Sequence, residues 1–221
     1  MVEIGILIVS ETSKQQKENP MKARINANEL LAAAKFIDAK AVKHRPILQN
    51  VKIVVEDNIY IVESTDSFKL IRFTHNNICV DGAFSCVISA DTIKSTVKSS
   101  DSFVDITLDA ESNAITLDVF NKRYQRTVSV SVDKVDEKMY PTLDGVLDKR
   151  TEDKSNVTCL STVHLTSICN SIACAYDKNV PVKIELGAEH TAVFFSALPN
   201  HDEPGIYCDG VVMPMRMSVR M

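Results

Sequence analysis

The amino-acid sequence predicts an α+β fold made of three similar units, each with a short strand, a helix and three further strands. Two observations predict it. The same order of extended and helical segments recurs three times after Met21. The strand segments also alternate apolar and polar residues, as at Val104, Ile106 and Leu108, which is typical of a sheet with one buried face. We therefore expect mainly antiparallel sheets with the helices on one face.

The first unit starts with an extended segment at residues 23–25, and Asn26 or Asn28 can cap the helix that follows. Pro46 ends any helical continuation, because a proline disfavours the helical conformation of the residue before it. The predicted apolar face of the helix is Leu30, Leu31, Ala34 and Ile37. Strands are predicted at residues 48–55, 59–63 and 68–73, with a turn at residues 56–58.

The second and third units repeat this order. Ser89 or Asp91 caps the helix of the second unit, and the helix of the third runs through Val163, Ile168 and Ile172. Two units can cover each other's apolar faces, so the third must pack against them, pack against a partner chain, or remain marginally stable. Strands are predicted at residues 84–88, 103–108, 114–120 and 124–132 in the second unit, and at residues 156–160, 182–186, 191–196 and 207–215 in the third.

This repeated order of strands and helices predicts how the chain divides into domains. Residues 21–147 form a complete two-unit domain, residues 148–155 a highly charged linker, and residues 156–217 half a domain, followed by a tail at residues 218–221. We expect residues 1–20 to be an extension outside the fold. The competing interpretation is an extra edge strand formed by the apolar run at residues 4–9.

The composition is that of an ordinary globular protein, with 45% apolar and 24% charged residues. The formal net charge of -4 excludes a uniformly basic protein that coats nucleic acid, but leaves room for a basic stripe. The six cysteines form no Cys-x-x-Cys pair. We therefore expect them to be small, buried apolar side chains of a protein in a reducing cytosol. The longest N-terminal apolar run is much shorter than the ~18 to 20 residues of a membrane-spanning helix.

The sequence also lacks the common signatures of catalysis. It contains no glycine-rich phosphate loop, no Gly-x-Ser-x-Gly motif and no His-Glu-x-x-His motif. No histidine pair has zinc-ligand spacing. We therefore expect no enzyme activity, no cofactor and no metal site.

Four short segments carry a resemblance to a known family. They are residues 45–48 (Arg-Pro-Ile-Leu), residues 65–70 (Thr-Asp-Ser-Phe-Lys-Leu), Tyr140-Pro141 followed by Val146-Leu147, and residues 211–216 (Val-Val-Met-Pro-Met-Arg). In the same order they resemble segments of the bacterial DNA polymerase III beta subunit, the beta sliding clamp. The last segment is near-identical to the end of that family. The resemblance spans residues 21–217, matches the middle domain and the last half of the third, and implies the DNA-clamp fold.

The resemblance implies a non-enzymatic replication or repair factor. In the family, these segments converge on a hydrophobic pocket that receives short linear motifs of DNA polymerase and repair proteins, and the last segment folds back beside the 65–70 turn. Valine and methionine side chains suit a pocket that accepts several partner sequences. The implied pocket residues are Leu48, Thr65, Phe68, Lys69, Leu70, Pro141, Val146, Val211, Met213, Pro214, Met215 and Arg216.

Three positions depart from the family pattern. Ser67 replaces a glycine and adds bulk at a tight backbone position, Phe68 replaces a histidine and makes the pocket more apolar, and Lys69 replaces an arginine. The residues after Arg216 extend past the usual end of the family and can partly occlude the pocket.

The resemblance further implies contact with duplex DNA through phosphates, without sequence preference, in a ring of several copies. The candidate DNA-facing residues are Lys35, Lys40, Lys43, Arg45, Lys94 and Lys98. The alternative is an incomplete clamp that acts as a decoy or regulator and binds partners without encircling DNA. Simpler interpretations also stay open, namely lysines on a solvated helix face and a terminal strand that only buries its apolar side.

Overall fold

The computed structural model describes residues 20–38, 40, 42–76, 80–109, 114–147, 160–176, 180–186, 192–197 and 206–213. The helices are α1 (Ala27–Phe36), α2 (Ala90–Thr96), α3 (Asp144–Leu147) and α4 (Thr162–Ala175). The strands are β1 (Met21–Asn26), β2 (Asn50–Glu56), β3 (Ile59–Thr65), β4 (Lys69–Asn76), β5 (Val80–Asp81), β6 (Phe84–Ser89), β7 (Asp101–Asp109), β8 (Ala114–Asn121), β9 (Arg126–Asp133), β10 (Val182–Leu186), β11 (Val193–Ala197) and β12 (Ile206–Val212).

The strands form two antiparallel sheets, and the first two units exchange a strand. The five-stranded sheet has the order β5-β1-β7-β8-β9, so that β1 of the first unit lies beside β7 of the second. The seven-stranded sheet has the order β10-β11-β12-β4-β3-β2-β6, so that β6 of the second unit lies beside β2 of the first. The exchange ties the two units together, and the predicted antiparallel α+β architecture is confirmed.

The third unit extends the sheet of the first. Its last strand, β12, pairs antiparallel with β4, and Val211 lies opposite Leu70. Its helix α4 packs against α1. The third unit is therefore joined to the first along both its sheet and its helix.

The start of α1 follows the prediction. Asn26 is the N-cap, and its Oδ1 accepts hydrogen bonds from the backbone N–H groups of Asn28 at 2.9 Å and Glu29 at 3.4 Å. Leu30, Leu31 and Ala34 are buried in the main core. Ala32 and Ala33 are buried in the same core, so α1 is enclosed on nearly all sides and the apolar spacing identified only part of its buried surface.

The hairpin turn between β2 and β3 also follows the prediction. Asp57 and Asn58 have φ values of 51° and 62°, in the left-handed region. Asp and Asn tolerate this region because their short side chains hydrogen-bond locally. Two such residues in succession match the twist of the flanking strands.

Several predicted boundaries are wrong. Residues 46–49 form a 3-10 turn rather than the start of a strand, so β2 begins at Asn50. Tyr124 has a φ of 59° and lies in the turn before β9, which the Asn121 side chain closes by accepting the N–H groups of Arg123 and Gln125. The 207–215 strand ends at Val212 within the described residues. Residues 1–19 of the predicted N-terminal extension, with the alternative strand at residues 4–9, lie outside the described residues, as do residues 156–159 of a predicted strand and the linker at residues 148–155.

The described cysteines are free thiols in different environments. Cys86 and Cys208 are buried as predicted, and burial raises the pKa of Cys86 to about 12. The prediction is wrong for Cys169, which is exposed on α4. Within the described ranges, no three His, Cys, Asp or Glu side chains come together as a metal site, and no helix has the length and apolarity that crossing a bilayer requires.

Candidate functional site

An open groove of about 870 Å³ lies between the 3-10 turn that begins at Pro46 and the segment of residues 135–146. Its walls are mostly apolar. Two apolar side chains in these walls are exposed to solvent, Met139 by 70% and Val146 by 37%. The groove is lined by His44, Arg45, Pro46, Ile47, Leu48, Asn50, Thr65, Ser67, Val135, Asp136, Met139, Pro141, Thr142, Leu143 and Val146.

The first wall is held by a side-chain amide. Pro46 opens the 3-10 turn, where its lack of an N–H removes no helical hydrogen bond. The Asn50 Nδ2 group donates to the backbone carbonyl oxygens of Pro46 at 3.1 Å and Ile47 at 2.9 Å. The turn thereby fixes Ile47 and Leu48 on the side of the groove.

The second wall is fastened to the seven-stranded sheet. Tyr140 Oη donates to the carbonyl oxygen of Glu63 at 3.4 Å, and burial raises the pKa of Tyr140, so the phenol keeps its proton. Arg72 donates to Asp144 Oδ1 at 2.5 Å and to Glu63 Oε1 at 2.6 Å. Burial raises the pKa of Glu63, and the neighbouring Arg72 opposes that rise. These contacts hold α3 and the residues before it against β3 and β4.

The floor beneath the groove joins the first and third units. Leu70 of β4 and Val211 of β12 lie opposite each other and are each 3% exposed. They pack in one cluster with Leu143 of the second wall and with Phe194 of β11. The predicted pocket residues Leu70 and Val211 therefore support the groove from below, whereas Leu48, Thr65, Pro141 and Val146 line it.

The turn between β3 and β4 forms one end of the groove. Thr65 Oγ1 donates to the Lys69 carbonyl oxygen at 2.9 Å, and Asp66 Oδ1 accepts the N–H groups of Phe68 and Lys69, each at 3.1 Å. Ser67 has a φ of 77°, which favours glycine and costs a serine about 1 kcal/mol. Arg45 Nη1 donates to Ser67 Oγ at 3.2 Å. The Ser67 hydroxyl thus has a hydrogen-bond partner, Arg45, on the rim of the groove.

The structure corrects the placement of Lys69. Lys69 directly precedes Leu70 in β4, and successive strand residues point to opposite faces, so it points away from the groove. Its Nζ lies 2.9 Å from Asp66 Oδ2 and 3.8 Å from the centroid of the Phe36 ring, and it donates to the Phe36 carbonyl oxygen. Burial lowers the pKa of Lys69, and the neighbouring Asp66 carboxylate opposes that decrease. Lys69 therefore anchors the C-terminus of α1.

Phe68 and Met213 lie beside the groove rather than in its walls. The Phe68 ring is half exposed and stacks on His164 of α4, with 6.2 Å between centroids. The Met213 N–H donates to the Phe68 carbonyl oxygen at 2.9 Å. This bond and the pairing of Val211 with Leu70 and of Val212 with Lys69 place residues 211–213 of the predicted segment beside the 65–70 turn. Pro214, Met215 and Arg216 lie outside the described residues.

The candidate DNA-facing residues occupy two regions. Lys94 and Lys98 are exposed on α2 and just after it, and Lys94 Nζ lies 3.7 Å from Asp91 Oδ1. Lys35 on α1 and Lys40 and Lys43 after it are also exposed. Arg45 instead lies on the rim of the groove, at the Ser67 hydroxyl.

Sequence reasoning missed several groove residues. Met139 ends a 3-10 helix of three residues, and Val135 and Leu143 lie in the irregular segments before and after it, so no helical or strand period singled them out. The proximity of Leu143 to the Tyr140-Pro141 pair was the available signal. Ile47 belongs to the resembling segment at residues 45–48, but the resemblance did not imply it as a pocket residue.

The described fold is similar to solved structures of sliding clamps. The Helicobacter pylori beta clamp in complex with carprofen has a TM-score of 0.66 and 9% identity, over 98% of this chain and 70% of that chain. A. fulgidus PCNA bound to the C-terminal region of FEN-1 has a TM-score of 0.58 and 11% identity, over 90% of this chain and 99% of that chain. A Pseudomonas aeruginosa sliding clamp (DNA polymerase III subunit beta) bound to griselimycin has a TM-score of 0.53 and 12% identity, over 90% of this chain and 66% of that chain.

The sequence itself matches no protein-family model and no curated protein. At such low identity the structural likeness speaks for the fold alone. It agrees with the DNA-clamp fold that the four resembling segments implied. The chain therefore has the DNA sliding-clamp fold.

Proposed function

We propose that the chain is a non-enzymatic, clamp-like scaffold that binds short linear peptide motifs of DNA polymerase and repair proteins in the groove beside Pro46. The proposal rests on the groove itself, which is a mostly apolar cleft with exposed Met139 and Val146 in its walls. Exposed apolar surface in a concave site marks a place where a partner removes it from water.

The shape of the groove suits an extended peptide. Its floor is rigid, because Leu70 and Val211 are buried in paired strands. Its rim carries Arg45 and Asp136, which can fix the orientation of a peptide through its polar groups. A similar clamp fold, that of A. fulgidus PCNA, was solved with the C-terminal region of FEN-1 bound.

A substitution in the groove tests this proposal. Calorimetry with a hexapeptide that carries a clamp-binding motif of a bacterial DNA polymerase subunit should give a micromolar dissociation constant. Val146→Asp places a charge on the apolar wall and should weaken binding at least about tenfold, which is ~1.4 kcal/mol.

Val163→Asp is the matched control, because Val163 is also an exposed valine on a helix, 68% exposed on α4, and does not line the groove. It should leave binding unchanged. The proposal is refuted if the folded protein shows no heat of binding, or if Val146→Asp and Val163→Asp weaken peptide binding equally.

We also propose that exposed lysines contact duplex DNA phosphates, with several copies forming a ring. Lys35, Lys40 and Lys43 follow one another along and after α1, and Lys94 and Lys98 lie at α2. Phosphate contacts of this kind would give binding that weakens steeply with salt. In a gel-shift assay with duplex DNA, Lys94→Glu/Lys98→Glu should reduce binding and lower its salt dependence.

One observation favours the decoy alternative, in which the protein binds partners without DNA. Helix α4 has no charged residue along its 14 positions, so the third unit offers duplex DNA no cation from its helix. Peptide binding together with no salt-sensitive DNA binding would favour the decoy. Salt-sensitive binding that the lysine variant loses would favour the clamp.

A further inference from the structure

The first strand after the helix has different neighbours in the first and third units. In the first unit this strand is β2, which lies between β3 and β6, and β6 comes from the second unit. In the third unit it is β10, which pairs with β11 and ends the seven-stranded sheet within the described part of the chain. By comparison with β2, the outer edge of β10 is a place where a further strand fits.

The sequence of β10 is complementary to itself when two copies run antiparallel. β10 reads Val-Lys-Ile-Glu-Leu, with Ile184 at its centre. If two copies pair about Ile184, Lys183 of each copy lies opposite Glu185 of the other, and Ile184 lies opposite Ile184. Opposite charges facing each other across such a pair stabilise it, and like charges destabilise it.

The exposure of these side chains fits the same arrangement. Ile184 is 50% exposed, which is unusual for an isoleucine in the middle of a strand. Lys183 Nζ lies 3.1 Å from Glu185 Oε1 on the same face of the strand, so each copy already presents both charges side by side. An exposed edge strand with an apolar centre is a template for another strand.

We propose that two copies of this chain associate through β10, paired antiparallel about a two-fold axis at Ile184, so that their seven-stranded sheets become one. The other edge of this sheet, β6, reads Phe-Ser-Cys-Val-Ile-Ser and has no charged residue. Pairing β10 with β6 would leave Lys183 and Glu185 without opposite charges across the contact. The charges therefore favour a symmetric contact, in which both copies use the same surface.

This association does not depend on the groove, since no residue of β10 lines it. It is also weak. Stable complexes bury about 1,200–2,000 Å² in total, which a single five-residue strand pair does not reach. We expect a dimer with a dissociation constant on the order of 100 µM.

Sedimentation equilibrium of the full chain between about 5 and 500 µM tests the proposal. The mean mass should rise from that of one chain towards that of two. Lys183→Glu places like charges opposite each other and should weaken association at least about tenfold. Lys183→Glu/Glu185→Lys restores opposite charges and should return the association constant to within about threefold of the parent.

Lys122→Glu is the matched control, because Lys122 is an exposed lysine in the turn after β8 and far in sequence from β10. It should not change association. Circular dichroism melting checks that each variant is folded. The proposal is overturned by a single-chain mass at every concentration, by a Lys183→Glu variant that associates like the parent, or by a double variant as weak as the single one. Loss of peptide binding would not affect it.

Discussion

The helices of the first and third units are buried to different degrees. In α1, eight of 10 residues are buried, because the helix lies among both sheets, α2 and α4. In α4, four of 14 residues are buried, namely Ile168, Ser171, Ile172 and Ala175. Val163 and Leu165 of α4 stay exposed. The paired units share their strands, while the third is joined through β12 and one face of α4.

This difference shows what a repeat unit needs from its neighbours. Residues of all three units pack in the main core, but the exchange of β1 and β6 joins the first two units through both sheets. The third unit instead uses the edge of the sheet of the first, at β4. The same contact buries Leu70 and Val211 under the groove, so the attachment of the third unit also supports the proposed peptide site.

The largest expected effect comes from the contact between β12 and its two neighbours. A Cβ atom at Gly210 would lie 2.0 Å from the Phe195 ring and 2.4 Å from the backbone oxygen of Leu70. Gly210→Ala should therefore destabilise the third unit by about 4 kcal/mol, since backbone atoms of β4 cannot yield. Hydrogen exchange should show lost protection in β10–β12, with β7–β9 still protected.

Ser196→Ala is the control on β11, opposite Asp209, and removes an atom rather than adding one. It should leave exchange in both regions nearly unchanged. Equal loss of protection in β7–β9 of Gly210→Ala would show that the three units unfold as one, and would contradict a third unit that is held less firmly than the first two.

A smaller effect is expected from the buried ion pair of the first unit. Lys69→Met leaves Asp66 buried without its cation and should lower the free energy of unfolding by about 3 kcal/mol in urea titration. Asp66→Asn/Lys69→Met should recover most of that loss, because both charges are then gone. A double variant no more stable than Lys69→Met would contradict this account.

The pH dependence of the Lys69 contribution has a definite sign. Burial lowers the pKa of Lys69 in the folded chain below that of the unfolded chain, about 10.4. Between the two pKa values the unfolded state holds more protons, so the free energy of unfolding rises with pH there. The parent should show this rise relative to Lys69→Met.

The smallest effect is expected in the five-stranded sheet. Arg24 donates to both Asp105 oxygens, at 2.8 and 3.0 Å, and Lys22 lies 3.2 Å away. Burial favours a raised pKa for Asp105, but the bonds from Arg24 and Lys22 outweigh it and lower that pKa. Its stabilising contribution, about 1 kcal/mol because both cations are half exposed, is present above the unfolded pKa of about 3.9 and is lost as pH falls below it.

Asp105→Asn should therefore cost about 1 kcal/mol at pH 7 and much less below pH ~3 in urea titration. An equal cost at both pH values would mean that packing, rather than charge, is what Asp105 contributes.

Local sequence signals predicted much of the fold. The Asn26 cap, the burial of Leu30, Leu31 and Ala34 and the turn at Asp57 and Asn58 all depend on neighbours within a few residues, and the structure has each of them. The short elements β5 and α3 were missed, because two to four residues carry no readable period. Exact strand starts were missed where a side chain closes a turn, as at Asn50 and Asn121.

The candidate site was predicted less completely, for a geometric reason. Leu48, Thr65, Pro141 and Val146 line the groove and Leu70 packs beneath it, but Lys69 points away from it, because adjacent strand residues face opposite ways. Met139 lies in a region of turns, where only the assembled structure brings it to the wall. Long-range convergence of this kind has no signature in local sequence.

Methyl NMR of the protein during titration with the hexapeptide tests the central claim most directly. We expect the methyl signals of Ile47, Leu143 and Val146 to shift with one dissociation constant in the micromolar range, while those of Val163 and Leu165 on α4 stay in place. Shifts confined to α4, or none in the groove at saturating peptide, would contradict the account.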